Sequence, residues 1–468
     1  MKRKVVCVVC ILIGLAMTVQ IALGVIWMGL NLINIPVFGD TTEYYQLSQT
    51  LQVDEYRPIL YPLMMRGADM ICRHLSIGYQ TILYLVQTAV SFGSILYLTC
   101  ILGKIITGKS ELPQKFFRSA VIFVSAYIMC IPMITFMNFS VLTDSIATSM
   151  LLFAIGAIVQ IFYGNKPLWR GFLVIAVSML IEFLVRADRL YSCTLFLLIC
   201  FVAYLIKKRK VICIRRTVAW MLVCILFCTG AATAVNGLTQ QPGLYGRIRT
   251  TFGFVLLDRV VWPNMTENYE DFPQEIKDMV SKEDAETFDS RNNNVMYQMA
   301  PLIREKAGEE QAEEIYKDMA KIVFHNQPLK VLSDIVEDII CVIFTPISAY
   351  LSHYGNVQTA DSWNLYCVSR TSETFSNIYY AYYLNSFMSL LVIACLCFAL
   401  RLFRRERGAF TVSKLLAPGF LMCLIIALWF SIGDGAPPND RYALLHYVIW
   451  AYWALGNVGK TCLFKVIS

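Results

Sequence analysis

Charge is what this chain has least of. Only 16% of its 468 residues are Asp, Glu, Lys or Arg, where a soluble domain carries about 25%. Histidine is scarce as well, with four copies at positions 74, 325, 353 and 446, scattered along the chain. No His-Glu-x-x-His and no Gly-x-Gly-x-x-Gly occurs. We therefore expect neither a structural zinc site nor a nucleotide-driven pump. Of the 16 cysteines only Cys72, Cys341 and Cys367 fall outside the membrane-spanning runs and basic loops identified below. Three thiols close one disulfide at most, which excludes a disulfide scaffold. What the chain has instead is oil: 57% of residues are AVILMFWYC and the mean hydropathy is +0.56. That excludes a soluble enzyme and a disordered chain.

A helix needs about 20 mostly apolar residues to cross a bilayer, because lipid offers backbone amides no partners. Ten stretches qualify: Val5 to Leu30, Tyr79 to Leu102, Ala120 to Phe139, Val141 to Phe162, Gly171 to Val185, Leu190 to Ile206, Val218 to Val235, Leu384 to Leu402, Leu415 to Ile432 and Tyr442 to Val458. The first follows Lys2-Arg3-Lys4 like a signal peptide but is too long for one, so it reads as an anchor. Every second loop is basic, at 104–118, 166–170, 207–216, 401–414 and 460–465. Basic loops stay cytoplasmic, which places both termini there. The apolar stretch 339–351 is short and contains Pro346, and reads as interfacial. The net charge of +7 then divides into a strongly positive cytoplasmic face and an acidic exterior. It reports orientation and gives no ground for a nucleic-acid partner.

The organisation expected is an all-α, multi-pass cell-membrane protein with about ten transmembrane helices. Residues 1–235 form a first membrane module that includes an exterior loop at 31–78. Residues 236–383 form an α-rich extracytoplasmic domain, and 384–468 a second membrane module. Within the exterior domain Ile315, Met319, Ile322 and Val323 share one helical face, with Glu313 and Lys317 four apart on another. The Tyr-rich run 379–383 before span eight reads as an interfacial aromatic belt. The patterns Asn138-Phe139-Ser140 and Asn264-Met265-Thr266 are short enough to decide nothing.

The first exterior loop carries the most chemistry. It reads Phe38-Gly39-Asp40-Thr41-Thr42-Glu43-Tyr44-Tyr45, then Arg57-Pro58-Ile59-Leu60-Tyr61-Pro62. Asp40 with Glu43 three residues on is a capping box. A carboxylate fixed at a helix start by the membrane surface is also placed to accept a hydroxyl proton. At the outer ends of spans, Arg186, Arg189 and Arg441 could hold an anion, or snorkel and pair with Asp188, Asp440 or headgroups. Glu182 lies one turn before Arg186, and an i,i+4 pair between them is the simpler reading. His446, one turn after Tyr442, and His353 are further polar candidates.

This loop resembles the first periplasmic loop of the GT-C membrane glycosyltransferases, in particular the polyprenyl-phosphate-sugar enzymes of the protein O-mannosyltransferase and lipid A aminoarabinose transferase types. Their Asp-Glu-x-x-Tyr is matched by Asp40 and Tyr44, with Thr41 in place of the second acid and Glu43 as its candidate substitute. Leu142-Thr143-Asp144, the 185–189 turn and Pro437-Pro438-Asn439-Asp440-Arg441-Tyr442 are similar to other recurring features of the family. The resemblance implies a polyprenyl-phosphate-linked sugar donor, an extracytoplasmic acceptor of unknown identity and an inverting transfer at the outer face. Asp40 and Glu43 would be catalytic, Arg441, Arg186 and Arg189 would bind the donor phosphate, and Tyr44, Arg57, Tyr61, Glu182, His353 and His446 would contact substrate. No cofactor is expected, and a monophosphate donor gives no reason for an obligatory metal. Two other classes fit the composition: a lipid-linked-glycan flippase or transporter, and a non-catalytic envelope assembly protein.

Overall fold

The computed structural model describes residues 3–32, 39–51, 57–75, 77–107, 113–164, 168–186, 189–208, 214–239, 252–287, 299–354, 373–406, 408–433 and 443–467. Among these residues all regular structure is helical. The chain runs through α1 (Arg3–Asn31), α2 (Gly39–Thr50), α3 (Leu60–Leu75), α4 (Tyr79–Thr107), α5 (Gln114–Met129), α6 (Pro132–Asn138), α7 (Asp144–Tyr163), α8 (Leu168–Val185), α9 (Leu190–Lys208) and α10 (Ile214–Thr239). Short helical turns over 252–287 follow, then α11 (Ala300–Ala307), α12 (Glu309–Asn326), α13 (Pro328–Ile343), α14 (Thr345–Tyr354), α15 (Glu373–Phe403), α16 (Thr411–Gly433) and α17 (Leu444–Ile467).

Among the described residues six stretches are long and apolar enough to cross a membrane: Cys7–Asn31, Tyr79–Thr107, Asp144–Tyr163, Leu168–Val185, Thr374–Phe403 and Thr411–Trp429. The protein is a multi-pass membrane protein. Two further spans read from the sequence fall on shorter apolar helices, Tyr191–Lys207 and Val218–Ala231. The bundle is organised around α7, whose apolar stretch is 83% buried. Helices α4 and α8 flank it, while α17 packs on both α15 and α16, and α15 packs on α1.

The third expected span is a broken one. Helices α5 and α6 meet at 77° across Cys130 and Ile131, and Pro132, which cannot donate to the turn before it, opens the second half. A break at this depth frees carbonyls that water cannot reach, so side chains must take them. Gln20 Nε2 and the Tyr379 hydroxyl both donate to the Cys130 carbonyl, each at 2.7 Å. The Thr135 hydroxyl donates to Met129 O at 3.0 Å.

That arrangement corrects the reading of the Tyr-rich run. Helix α15 begins at Glu373, eleven residues before the expected span, and Tyr379, Tyr380 and Tyr383 are fully buried in the bundle rather than arrayed at an interface. Trp27, with its ring centroid 6.5 Å from Tyr379, donates Nε1 to Ser376 Oγ at 3.2 Å. These rings pack the start of α15 against α1 and α6, where a belt would face headgroups.

Residues 254–331 have a hydrophobic core of their own, built on Leu257, Val261, Met299, Tyr316, Met319 and Val323. The apolar face of α12 is the one its spacing indicates, and Lys317 pairs with Glu313 at 3.7 Å on the other face. An ion pair of 2.6 Å from Arg259 to Asp338 ties this unit to α13, which packs on α16. The apolar stretch 339–351 crosses α13 and α14, broken at Phe344, and Trp450 Nε1 donates to Ile343 O at 2.9 Å.

Removing the Tyr379 hydroxyl tests the account of the helix break. Tyr379→Phe should cost about 1 kcal/mol and lower the melting temperature in detergent, and an unchanged melting temperature would mean that Gln20 satisfies the break unaided.

Candidate functional site

Helices α2 and α3 cap one end of the bundle, packing on each other and, through α3, on α4 and α8. The described helix α2 opens at Gly39, so Asp40 lies within its first turn rather than ahead of it. Glu43, three residues on, forms an ion pair with Arg57, whose side chain is 6% exposed. The Arg57 guanidinium lies 5.3 Å from the centre of the Tyr44 ring, and that ring meets Tyr61 edge-on at 5.0 Å. Arg57 is therefore not a rim cation; it is held between a carboxylate and an aromatic face.

Tyr61 carries the connection inward. Its hydroxyl donates to Gln87 Oε1 at 2.8 Å, and Gln87 Nε2 donates to Asn138 O and Ser140 O at 2.9 Å each. Gln87 thus fixes the turn between α6 and α7, where Ser145 Oγ donates to Asn138 Oδ1. Burial pushes the Tyr61 phenol well above its ordinary value, and among the neighbouring groups that raise it further is Asp144.

Asp144 is the first residue of α7 and is wholly buried. It forms an ion pair with Arg186, which follows the last residue of α8. Glu182, buried in the last turn of α8, forms an ion pair of 3.3 Å with Arg189. Each of these two pairs reaches beyond the helical neighbour. The Glu182 carbonyl also accepts the Arg186 N–H at 2.7 Å, and Arg189, the partner of its side chain, stands seven residues on. Nor do the two arginines snorkel: Arg189 is 2% and Arg186 8% exposed. Inside an apolar bundle a lone guanidinium is far more costly than a paired one, and the carboxylates at 144 and 182 provide the pairing.

Arg189 is also near enough for its charge to act on His446, a buried ring on α17 whose Nε2 lies 3.1 Å from Cys423 O. Arg189 Nε, Ser192 Oγ and His446 Nδ1 are buried and have no hydrogen-bond partner among the described residues. Each guanidinium carries five donors, so an arginine with one nitrogen on a carboxylate can still present others to an anion.

Of the residues expected at a site, Glu43, Tyr44, Arg57, Tyr61, Glu182, Arg186, Arg189 and His446 thus fall along one network at one end of the bundle. His353 does not join it: its ring packs edge-on against Tyr354 at 4.7 Å and Tyr380 at 5.4 Å. Arg441 lies outside the described residues. Gln87 belongs to the network and was not among the expected residues. Nothing in a single sequence marks a glutamine mid-helix as the joint between two elements. Asn138 and Asn264 are each 1% exposed and serve as packing residues.

Two motif-like patterns elsewhere in the sequence lie on membrane helices rather than in a site. Gly103 to Ser110 spells Gly-x-x-x-x-Gly-Lys-Ser, but Gly103 to Thr107 are the last turn of α4, so helix stands where a phosphate loop follows a strand, and 108–110 lie outside the described residues. Cys7 and Cys10, spaced as Cys-x-x-Cys, are free thiols on α1. Among the described residues no three His, Cys, Asp or Glu side chains gather closely enough to hold a metal ion.

No family model matches the chain, and no curated protein matches it. Among solved structures it is similar to ArnT from Cupriavidus metallidurans in the apo state, with a TM-score of 0.33 and 13% identity over 95% of this chain and 77% of that one. The same enzyme bound to undecaprenyl phosphate is similar with a TM-score of 0.33 and 11% identity, over 94% of this chain and 77% of that one. A likeness of this degree assigns neither a family nor a reaction.

The pairing of Asp144 with Arg186 can be tested by removing one charge and then both. Asp144→Asn strands a buried guanidinium and should cost about 3–5 kcal/mol, read by thermal unfolding in detergent. Adding Arg186→Gln should recover part of that loss. A double variant as unstable as the two single changes summed would show the pair to be uncoupled.

Proposed function

We propose that the protein is an integral membrane glycosyltransferase of the GT-C type, moving a sugar from a polyprenyl-phosphate carrier to an acceptor hydroxyl at the extracytoplasmic face. The observation that carries this reading is the joining of two parts at one end of the bundle. The loop helix bearing Asp40 packs, through Tyr44, Tyr61 and Gln87, onto the turn that leads into Asp144. Asp144, Glu182, Arg186 and Arg189 bring buried arginines to the same place. A proton acceptor and a set of phosphate donors are the two components the reaction needs.

In this reading the Asp40 carboxylate takes the proton of the acceptor hydroxyl as its oxygen attacks the anomeric carbon. The bond from that carbon to the phosphate oxygen breaks on the opposite side, so the configuration inverts. The carrier leaves as a phosphate monoester, whose charge is stabilised by fixed donors. Arg189 Nε, Ser192 Oγ and His446 Nδ1 support that role, being buried and unpaired among the described residues. Arg186 contributes beside them, and Arg441 from the segment that precedes α17. In this reading Glu43 acts as a positioning residue, pairing with the Arg57 that lies against the Tyr44 ring.

The buried charges also weigh against a transporter. Asp144 opens α7, Glu182 lies in the last turn of α8 and Arg186 follows it. Coupled transport needs such groups near the middle of the membrane.

The test is transfer in proteoliposomes with a polyprenyl-phosphate sugar donor. Asp40→Asn should lower turnover by about 10²–10⁴-fold with the melting temperature preserved. Transfer at the wild-type rate by that variant would remove Asp40 as the base.

A further inference from the structure

The far end of the bundle holds a second cluster of charge. Helix α7 sets the separation: Asp144 is its first residue, and at its last the Tyr163 hydroxyl donates to Lys414 O at 3.1 Å. Twenty helical residues measure about 28 Å, close to the roughly 30 Å of bilayer hydrocarbon. The turn from α15 to α16 therefore meets the opposite interface, a full membrane thickness from Asp144.

A cavity of about 210 Å³ opens at that turn, lined by Arg401, Arg405, Glu406, Phe410, Thr411 and Lys414 among others. Arg401 is its fixed wall. Its side chain is 3% exposed, pairs with Glu406 at 3.4 Å, and donates to Asn457 Oδ1 at 3.2 Å and to Ala409 O at 2.9 Å. With Glu406 committed to Arg401, the remaining cations are uncompensated: Arg405 and Lys414 form no ion pair among the described residues.

Arg405 is in an unexpected place. The end of α15 closes with Glu406 N–H on Arg401 O at 3.0 Å and Arg405 N–H on Leu402 O at 2.8 Å. This is the Schellman pattern, in which the residue at the Arg405 position adopts a left-handed backbone and is usually glycine. Arg405 has φ +51° there. A bulky residue held in a conformation that suits glycine implies that its side chain is used. The rim supports the same conclusion, since Phe410 in the lining of the basic cavity is 50% exposed. An exposed apolar ring in a cationic pocket at an interface suits a ligand with an anionic head and an oily tail.

We propose that this cavity binds the phosphate headgroup of an anionic phospholipid in the leaflet at that end, with Arg405 and Lys414 as its direct ligands, Arg401 as the scaffold and Phe410 against the acyl chains. The inference is independent of the reaction proposed above, which is placed at the other interface.

The experiment titrates the full-length protein in neutral detergent with short-chain phosphatidylglycerol and follows the melting temperature. Wild type should be stabilised saturably. Arg405→Gly gives the turn the residue its backbone favours, so it should fold at least as well. Combined with Lys414→Gln it should weaken the lipid effect by roughly twenty-fold. Phosphatidylcholine and inorganic phosphate are the control arms, and neither should stabilise comparably. An unchanged response in the double variant overturns the site. Equal stabilisation by phosphatidylcholine overturns the role of charge, and equal stabilisation by inorganic phosphate overturns the lipid as its source.

Discussion

Two buried ion pairs, Asp144 with Arg186 and Glu182 with Arg189, constrain the rest of this structure. In a bundle whose surroundings are apolar, a guanidinium remains inside only where carboxylates meet it. That requirement brings the first turn of α7, the last turn of α8 and the start of α9 together at one level. The bent passage from α5 to α6 and the turn that follows deliver Asp144 to that level. Gln87 holds the turn there through two backbone carbonyls. The cap formed by α2 and α3 is then positioned by what it can bond to, and Tyr61 on Gln87 is the bond that places it.

Polar groups are treated differently at the two ends of α7. At the Asp144 end the charges are matched and sequestered, and the atoms left unpaired there, Arg189 Nε, Ser192 Oγ and His446 Nδ1, are neighbours of that pairing. At the Lys414 end the cations are in excess and open to a cavity. The first arrangement suits a fixed electrostatic environment in which chemistry is done without reorganising water. The second suits attraction to a charged surface. One helix, the most enclosed in the bundle, holds the two apart.

Much of the fold was legible because its signals are local. Apolar runs of about 20 residues indicated the membrane helices, and the spacing of Ile315, Met319 and Val323 picked the buried face of α12. The first loop was legible as a pattern of types, and Glu43, Arg57, Tyr44 and Tyr61 do converge. Partner choice was not legible. Glu182 pairs with Arg189, seven residues on, and Arg186 with Asp144 on another helix, and neither partner is marked by spacing along one helix. The Tyr-rich run misled for the same reason. Composition alone fits an interface, and only the packing of α15 against α1 and α6 shows those rings to be core.

The sequence by itself determined that this chain lives in a membrane, which loop holds an acid beside an arginine, and where the basic loops lie, because hydropathy and charge are sums over neighbouring residues. Tertiary structure alone decided which carboxylate neutralises which arginine, that a mid-helix glutamine joins the cap to the bundle, and that Arg405 occupies a glycine's conformation. Those are contacts between elements distant in the chain, fixed by the cost of leaving a charge or a carbonyl unpaired in oil, and such a cost exists only once the elements have met.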